Sequence, residues 1–182
     1  MNHTHFNILT SNILVVDDNP ANLHLLMALL HKAGYKVRPA NSGQLALMAV
    51  EKEPPDLILL DIMMPGMDGY AVCEHLKANE QTRDIPVIFL SVLTGIFDKI
   101  NAFNVGGVDY ITKPFQEAEV LARIKTHLTL QNMKKQLEAQ NIQLQQEIRE
   151  RKRAEEMLKN SQNTLKDSGF HHLRSYQLGY EA

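Results

Sequence analysis

Leu57-Ile-Leu-Leu-Asp-Ile-Met-Met-Pro-Gly-Met-Asp-Gly69 decides the fold. Leu57 to Leu60 is a short apolar run without alternation, which is how a strand buried on both faces reads. It ends on a carboxylate, Asp61. A Pro-Gly loop follows, and Asp68 is placed to cap a helix that carries Val72, Cys73 and Leu76 inward.

The same unit recurs on either side. Ile13 to Val16 runs into Asp17-Asp18-Asn19-Pro20, with Pro20 suited to a first helical turn. The helix that follows carries Leu23, Leu26, Met27 and Leu30 on one stripe and closes at Gly34. Lys36 to Ala40 reads as a second strand. Ser42 then caps a helix bearing Ala46, Leu47 and Val50. Val87 to Leu90 ends on Ser91, a helix spans about Gly95 to Asn104, and Val108 to Ile111 ends on Thr112-Lys113-Pro114. Five strands alternating with helices predict an α/β fold, a five-stranded parallel sheet with helices on both faces. Such sheets bind ligands beyond the carboxyl ends of their strands. Asp17, Asp18, Asp61, Ser91 and Lys113 all fall there.

Those residue types form a chemical set. Three carboxylates in one pocket repel each other, and an all-oxygen donor set suits Mg²⁺. One carboxylate can then act as a nucleophile toward phosphorus, with Asp61 the best placed. A Lys ammonium and a hydroxyl can receive the phosphoryl oxygens, roles that Lys113 and Ser91 can fill. Each residue alone has an ordinary structural explanation. Their joint placement at strand ends does not.

Residues 13 to about 127 resemble the receiver domain of two-component response regulators. The resemblance rests on Ile13-Leu-Val-Val-Asp-Asp-Asn, the 57–69 stretch, Pro86-Val-Ile-Phe-Leu-Ser and Asp109-Tyr-Ile-Thr-Lys-Pro-Phe. It implies that Asp61 is phosphorylated by a histidine kinase or a phosphotransfer protein. It further implies Mg²⁺ held by Asp18, Asp61 and the Met63 backbone carbonyl, with Asp17 acting mainly through water. Ser91 and Lys113 would touch the phosphoryl oxygens, Tyr110 would be an aromatic switch, and Lys113-Pro114 would be cis. The output would leave through the face made by the fourth helix, fifth strand and fifth helix. One position departs from the family pattern: Val92 stands where a small residue is usual, and it is expected to crowd the site.

The 182 residues are 44% hydrophobic and 22% charged, with a net charge of -2. That balance gives no basic patch for direct nucleic-acid binding. The longest apolar runs fall far short of the roughly 18 residues of a membrane span. The N-terminus lacks a secretory pattern, and the one cysteine, Cys73, fits a cytoplasmic chain.

The expected organisation is a loosely ordered segment 1–11, a receiver domain 12–128, an extended helix or coiled coil 129–166 and a tail 167–182. Leu121, Ile124 and Leu128 face the receiver core. Leu130, Leu137 and Leu144 then recur every seven residues, with Arg151, Leu158 and Leu165 beyond. Residues 128 and 130 lie about 200° apart around a helix, so the apolar face changes sides. A parallel two-stranded coil pairing 130–148 is expected, with Asn141 as a register-setting polar position. The alternative is a solvated single helix. The 145–156 stretch also resembles linkers that join receivers to sensor, kinase or cyclase modules, so the alternative reading of the chain is the N-terminal receiver fragment of a larger hybrid kinase or cyclase. His172-Leu-Arg-Ser resembles a kinase phosphoacceptor segment only faintly. Two other classes compete: an Asp-nucleophile phosphohydrolase, disfavoured because Met63 occupies the general-acid position, and a receiver-like dimer module that is never phosphorylated.

Overall fold

The computed structural model describes residues 11–92 and 95–177, with backbone only at 96, 97 and 164–177. The chain order is β1 (Asn12–Val16), α1 (Pro20–Lys32), β2 (Lys36–Ala40), α2 (Gly43–Lys52), β3 (Leu57–Asp61), α3 (Gly69–Ala78), β4 (Val87–Ser91), α4 (Ile96–Asn104), β5 (Asp109–Thr112) and α5 (Glu117–Gln177). The five strands form one parallel sheet in the order β2-β1-β3-β4-β5. This is the flavodoxin-like α/β arrangement that the alternating pattern predicts.

The three central strands are apolar because helices cover both faces. Ile13 to Val16, Leu57 to Leu60 and Val87 to Leu90 are all fully buried. Their side chains alternate between two cores. Leu14, Val16, Ile58, Leu60, Val87 and Phe89 pack with α2 and α3 residues; Ile13, Val15, Leu57, Leu59, Ile88 and Leu90 pack with α1 and α5 residues. Each fully buried aliphatic side chain contributes roughly 1.5–3 kcal/mol.

The helix starts are where local chemistry places them. Asn19 accepts from the Ala21 N–H, Ser42 from Leu45 and Asp68 from Ala71. Gly34 ends the first unit at φ +92, a conformation that costs glycine little. One detail of the α1 stripe differs: Leu29 is buried and Met27 is only half-buried, so the inward face is Leu23, Leu26, Leu29 and Leu30.

On α5, Val120, Ile124 and Leu128 are buried against the sheet while Leu121 is partly covered. Asp109 at the start of β5 ties this part of the helix down. It accepts from Arg123 Nη1 at 2.6 Å and from His127 Nε2 at 2.9 Å. Beyond it, Leu130, Leu137, Leu144, Ile148 and Leu158 are all half or more exposed. The helix continues past residue 166, where the tail is expected, to Gln177, since Gly169 is the one strong helix breaker between 129 and 177. Residues 1–10 and 178–182, and the side chains of Leu165 and His172, lie outside the described set. Among the described residues, no helix is long and apolar enough to cross a membrane.

Candidate functional site

The strand register delivers the site. Val16 pairs with Leu60, Asp61 with Leu90 and Ser91 with Thr112. Asp17, Asp61, Ser91 and Lys113 therefore emerge within two residues of the same level along one edge of the sheet. β3 sits between β1 and β4, which puts Asp61 in the middle.

Asp17, Asp18 and Asp61 each offer a carboxylate oxygen within 4.8 Å of the others. Asp17 is fully buried, Asp61 nearly so, and Asp18 exposed. The Lys113 ammonium lies between two of them, 2.7 Å from Asp17 Oδ2 and 3.0 Å from Asp61 Oδ1. The Lys113-Pro114 peptide is cis. Together with Asn19, Asn22, Leu25, Val92, Pro114 and Phe115, these residues line an open cleft of about 460 Å³.

The electrostatics follow from this geometry. Burial pushes the Asp61 carboxyl above its usual range. Lys113 opposes that by hydrogen bond and by charge, Asp17 adds to the rise, and the Met63 backbone N–H works against it. Three carboxylates against one ammonium leave excess negative charge in a confined space. A hard divalent cation that binds oxygen fits that donor set, and Asp18 and Asp61 border the cleft where it would enter.

Two expected members stand slightly apart. Ser91 is fully buried at the end of β4 and does not line the cleft; its carbonyl accepts the Lys113 N–H at 2.7 Å. Tyr110 is also buried, in the core cluster with Phe89 and Ala102, and the Lys99 ammonium lies 5.7 Å from its ring centre. Met63 is exposed in the loop after β3 and lines a neighbouring cleft with Asp18, Ile62 and Asp68.

Val92 is 62% exposed and stands on the wall of the acidic cleft. Its branched side chain narrows the approach to Asp61. Val92→Ala is expected to speed modification by a small phosphodonor such as acetyl phosphate, and hydrolysis of the product, by about fivefold each, near 1 kcal/mol of barrier. Unchanged rates in both directions would remove steric crowding as an explanation for this residue.

Two residues of the site escape a reading of the sequence. Asn22 donates its side-chain amide to both oxygens of Asp17, at 3.0 Å each. The one signal for it is an asparagine in the first turn of a helix already capped by Asn19, a position with no need of it. Gly69 packs directly on the backbone of Asp61 and Ile62, which nothing in its neighbours announces.

Residues 13–125 match the response regulator receiver domain model. The chain is 45% identical over 116 residues to the DNA-binding dual master transcriptional regulator RpaA of Synechocystis sp., covering 64% of this chain and 48% of that protein. It is 43% identical over 118 residues to the response regulator PleD of Caulobacter vibrioides, covering 65% of this chain and 26% of that one. The chain thus matches about half or less of the length of these relatives. Among solved structures it resembles the receiver domain of a sensor histidine kinase from Pseudomonas aeruginosa, which has a magnesium ion coordinated in its active site cleft. The TM-score is 0.62 at 32% identity, over 66% of this chain and 98% of that one. With the parallel sheet, the acidic cluster at its carboxyl edge and a family match over most of its length, this chain belongs to the response regulator receiver domain family.

Proposed function

We propose that the chain is a phosphorylation switch in which Asp61 takes a phosphoryl group from a histidine kinase or a phosphotransfer protein. The observation that carries this reading is the Lys113 ammonium held between Asp17 and the largely buried Asp61, with Asp18 beside them at the cleft.

In this reading an Asp61 carboxylate oxygen attacks the phosphorus of a phosphohistidine. The new P–O bond forms as the P–N bond breaks, and the imidazole leaves with that electron pair. Lys113 moves its ammonium from the carboxylates toward a phosphoryl oxygen. Ser91, at the adjacent strand end, supplies a hydroxyl to another. The low exposure of Asp61 keeps bulk water from competing during transfer. Mg²⁺, held by Asp18, Asp61 and the Met63 carbonyl, supplies positive charge to the transferring oxygens when bound. Asp17 holds Lys113 in place. Stopped-flow transfer from phosphoramidate, with and without EDTA, tests this. Transfer that survives full chelation would contradict it.

Phosphorylation adds charge and acceptor oxygens at the sheet edge. Tyr110, one residue beyond the Asp109 that anchors Arg123 and His127, connects that edge to α5 and the α4-β5-α5 face. The signal then passes along α5 to a homodimer partner through residues 130–148, whose Leu130, Leu137, Leu144 and Ile148 are left exposed. The chain's own role is that of a signalling phosphoacceptor in the cytoplasm rather than a turnover enzyme. Leu137→Glu with Leu144→Glu is expected to weaken self-association by about tenfold or more. Sedimentation equilibrium of the full chain reads this directly, and a wild-type chain that is monomeric at all concentrations would exclude the coil.

A further inference from the structure

The Asp17 carboxylate is fully buried, and both of its oxygens take donors from the chain itself. Oδ1 takes the Asn19 backbone N–H at 2.9 Å and the Asn22 amide at 3.0 Å; Oδ2 takes the same amide at 3.0 Å and the Lys113 ammonium at 2.7 Å. Three donor nitrogens thus crowd an ionised carboxylate that has about four lone-pair directions, and only the Asn22 nitrogen reaches both oxygens. Asp17 shares the cleft with Asp18 and Asp61, and the Asn22 amide lies across both of its oxygens.

We propose that Asn22 is a positioning residue that caps Asp17 and sets how tightly Asp17 holds Lys113. This inference rests on the phosphoacceptor reading for its purpose, though not for its geometry. Asn22 suits the task chemically. Its amide nitrogen stands 3.0 Å from both carboxylate oxygens, so one N–H is shared between them and holds the carboxylate symmetrically. It is neutral, so it caps one member of a three-carboxylate cluster without a second cation that would compete with Lys113. The opposite amide orientation would set its carbonyl oxygen against a carboxylate, so the hydrogen bonds fix the nitrogen inward. Asparagine is a weaker helix former than alanine by a few tenths of a kcal/mol or more, and α1 already has its cap in Asn19. Neither helix propensity nor capping explains it.

The cap has two consequences. It draws charge away from Asp17, which loosens the grip of Asp17 on the ammonium enough for Lys113 to swing toward a phosphoryl oxygen. It also competes with the cation for the Asp17 oxygens, which favours the Asp18–Asp61 side, next to the reacting oxygen.

Titration calorimetry with MgCl₂ on the full chain tests the cap without any phosphodonor. Asn22→Ala removes the shared N–H from Asp17 and is expected to tighten Mg²⁺ binding by about fivefold, within the range of hydrogen bonds to charged groups. Phosphoryl transfer from phosphoramidate at saturating Mg²⁺ is expected to slow by about tenfold, because Lys113 is held harder. Asn22→Leu, close in size to asparagine, should reproduce the tightening and covers the case in which the smaller side chain lets the loop collapse. In an Asp17→Asn background the Asn22→Ala effect on Mg²⁺ should vanish, which a role confined to loop stability would not produce. Unchanged or weaker Mg²⁺ binding in both single variants, or the same tightening without the Asp17 carboxylate, would overturn the proposal. If Asp61 takes no phosphoryl group while Asn22→Ala still tightens Mg²⁺ through Asp17, the cap stands and the phosphoacceptor reading falls.

Discussion

Lys113→Met is expected to slow phosphoryl transfer to Asp61 by about 100-fold or more, the usual cost of removing a charged group that meets a developing oxyanion. It is also expected to make the stability of the fold depend on divalent cation. Lys113, Asp17 and Asp61 have side chains only 11%, 0% and 7% exposed. Methionine keeps much of the aliphatic stem but leaves two shielded carboxylates with no counter-charge. Breaking a buried pair from one side costs about 3 kcal/mol or more.

The pH dependence has a definite sign. Burial already raises the Asp61 carboxyl, and Lys113 is the main influence lowering it. A raised carboxyl contributes stability below its unfolded pKa and loses it as the pH rises through its folded pKa. Without Lys113 that loss deepens. The deficit of the variant is therefore largest near neutral pH and shrinks toward about pH 4, where carboxylates protonate. Urea unfolding in EDTA and in MgCl₂ reads both effects. The variant should recover more of its midpoint on adding Mg²⁺ than the wild type does. Equal midpoints for the two proteins in EDTA at pH 7 would mean the ammonium is not the counter-charge of the cluster.

Gly69→Ala is the second large effect. A β-carbon at Gly69 would stand 2.3 Å from the Asp61 carbonyl oxygen and 2.9 Å from the Ile62 Cα. Both are backbone atoms and cannot rotate aside. The Gly69 N–H also donates to the Ile62 carbonyl at 2.9 Å, so the start of α3 is seated on the chain just after Asp61. Alanine forces that seat apart, and the variant is expected to lose about 3 kcal/mol, roughly 10 °C in melting temperature. Gly66→Ala in the same loop is the control. Gly66 has φ +78 but open space around its Cβ position, so only backbone strain of about 1–2 kcal/mol applies. Thermal melts of the two variants should rank Gly69→Ala well below Gly66→Ala. The reverse order would show that loop conformation, not contact with the Asp61 backbone, governs this turn.

These two residues also mark what a sequence can and cannot show. Lys113 is legible because the apolar runs locate the strand ends, and parallel topology carries strand ends to one edge. The same reasoning reaches Asp17, Asp18, Asp61 and Ser91. It reaches the face-changing stripe at Leu130 as well, since seven-residue spacing is a property of order along the chain. Gly69 is not legible, because a glycine after Pro-Gly-Met-Asp reads as one more turn residue. Its constraint comes from a contact eight positions back that only folding creates. Asn22 is hidden for the same reason: its partner is a carboxylate five residues earlier, across a strand-to-helix turn. The buried state of Tyr110 depends on its packing with Phe89 and with Ala102 of α4, and a four-residue strand pattern says nothing about that cover.

The phosphoacceptor reading stands or falls on Asp61, the carboxylate that ends the strand on which the fold was read. Intact-mass spectrometry of the full chain after incubation with phosphoramidate and Mg²⁺ tests it most directly, with Asp61→Asn treated alongside. The expected result is one added phosphoryl group on the wild type, none when EDTA replaces Mg²⁺ during the incubation, and none on Asp61→Asn. No adduct on the wild type, or an adduct that persists in Asp61→Asn, would contradict it.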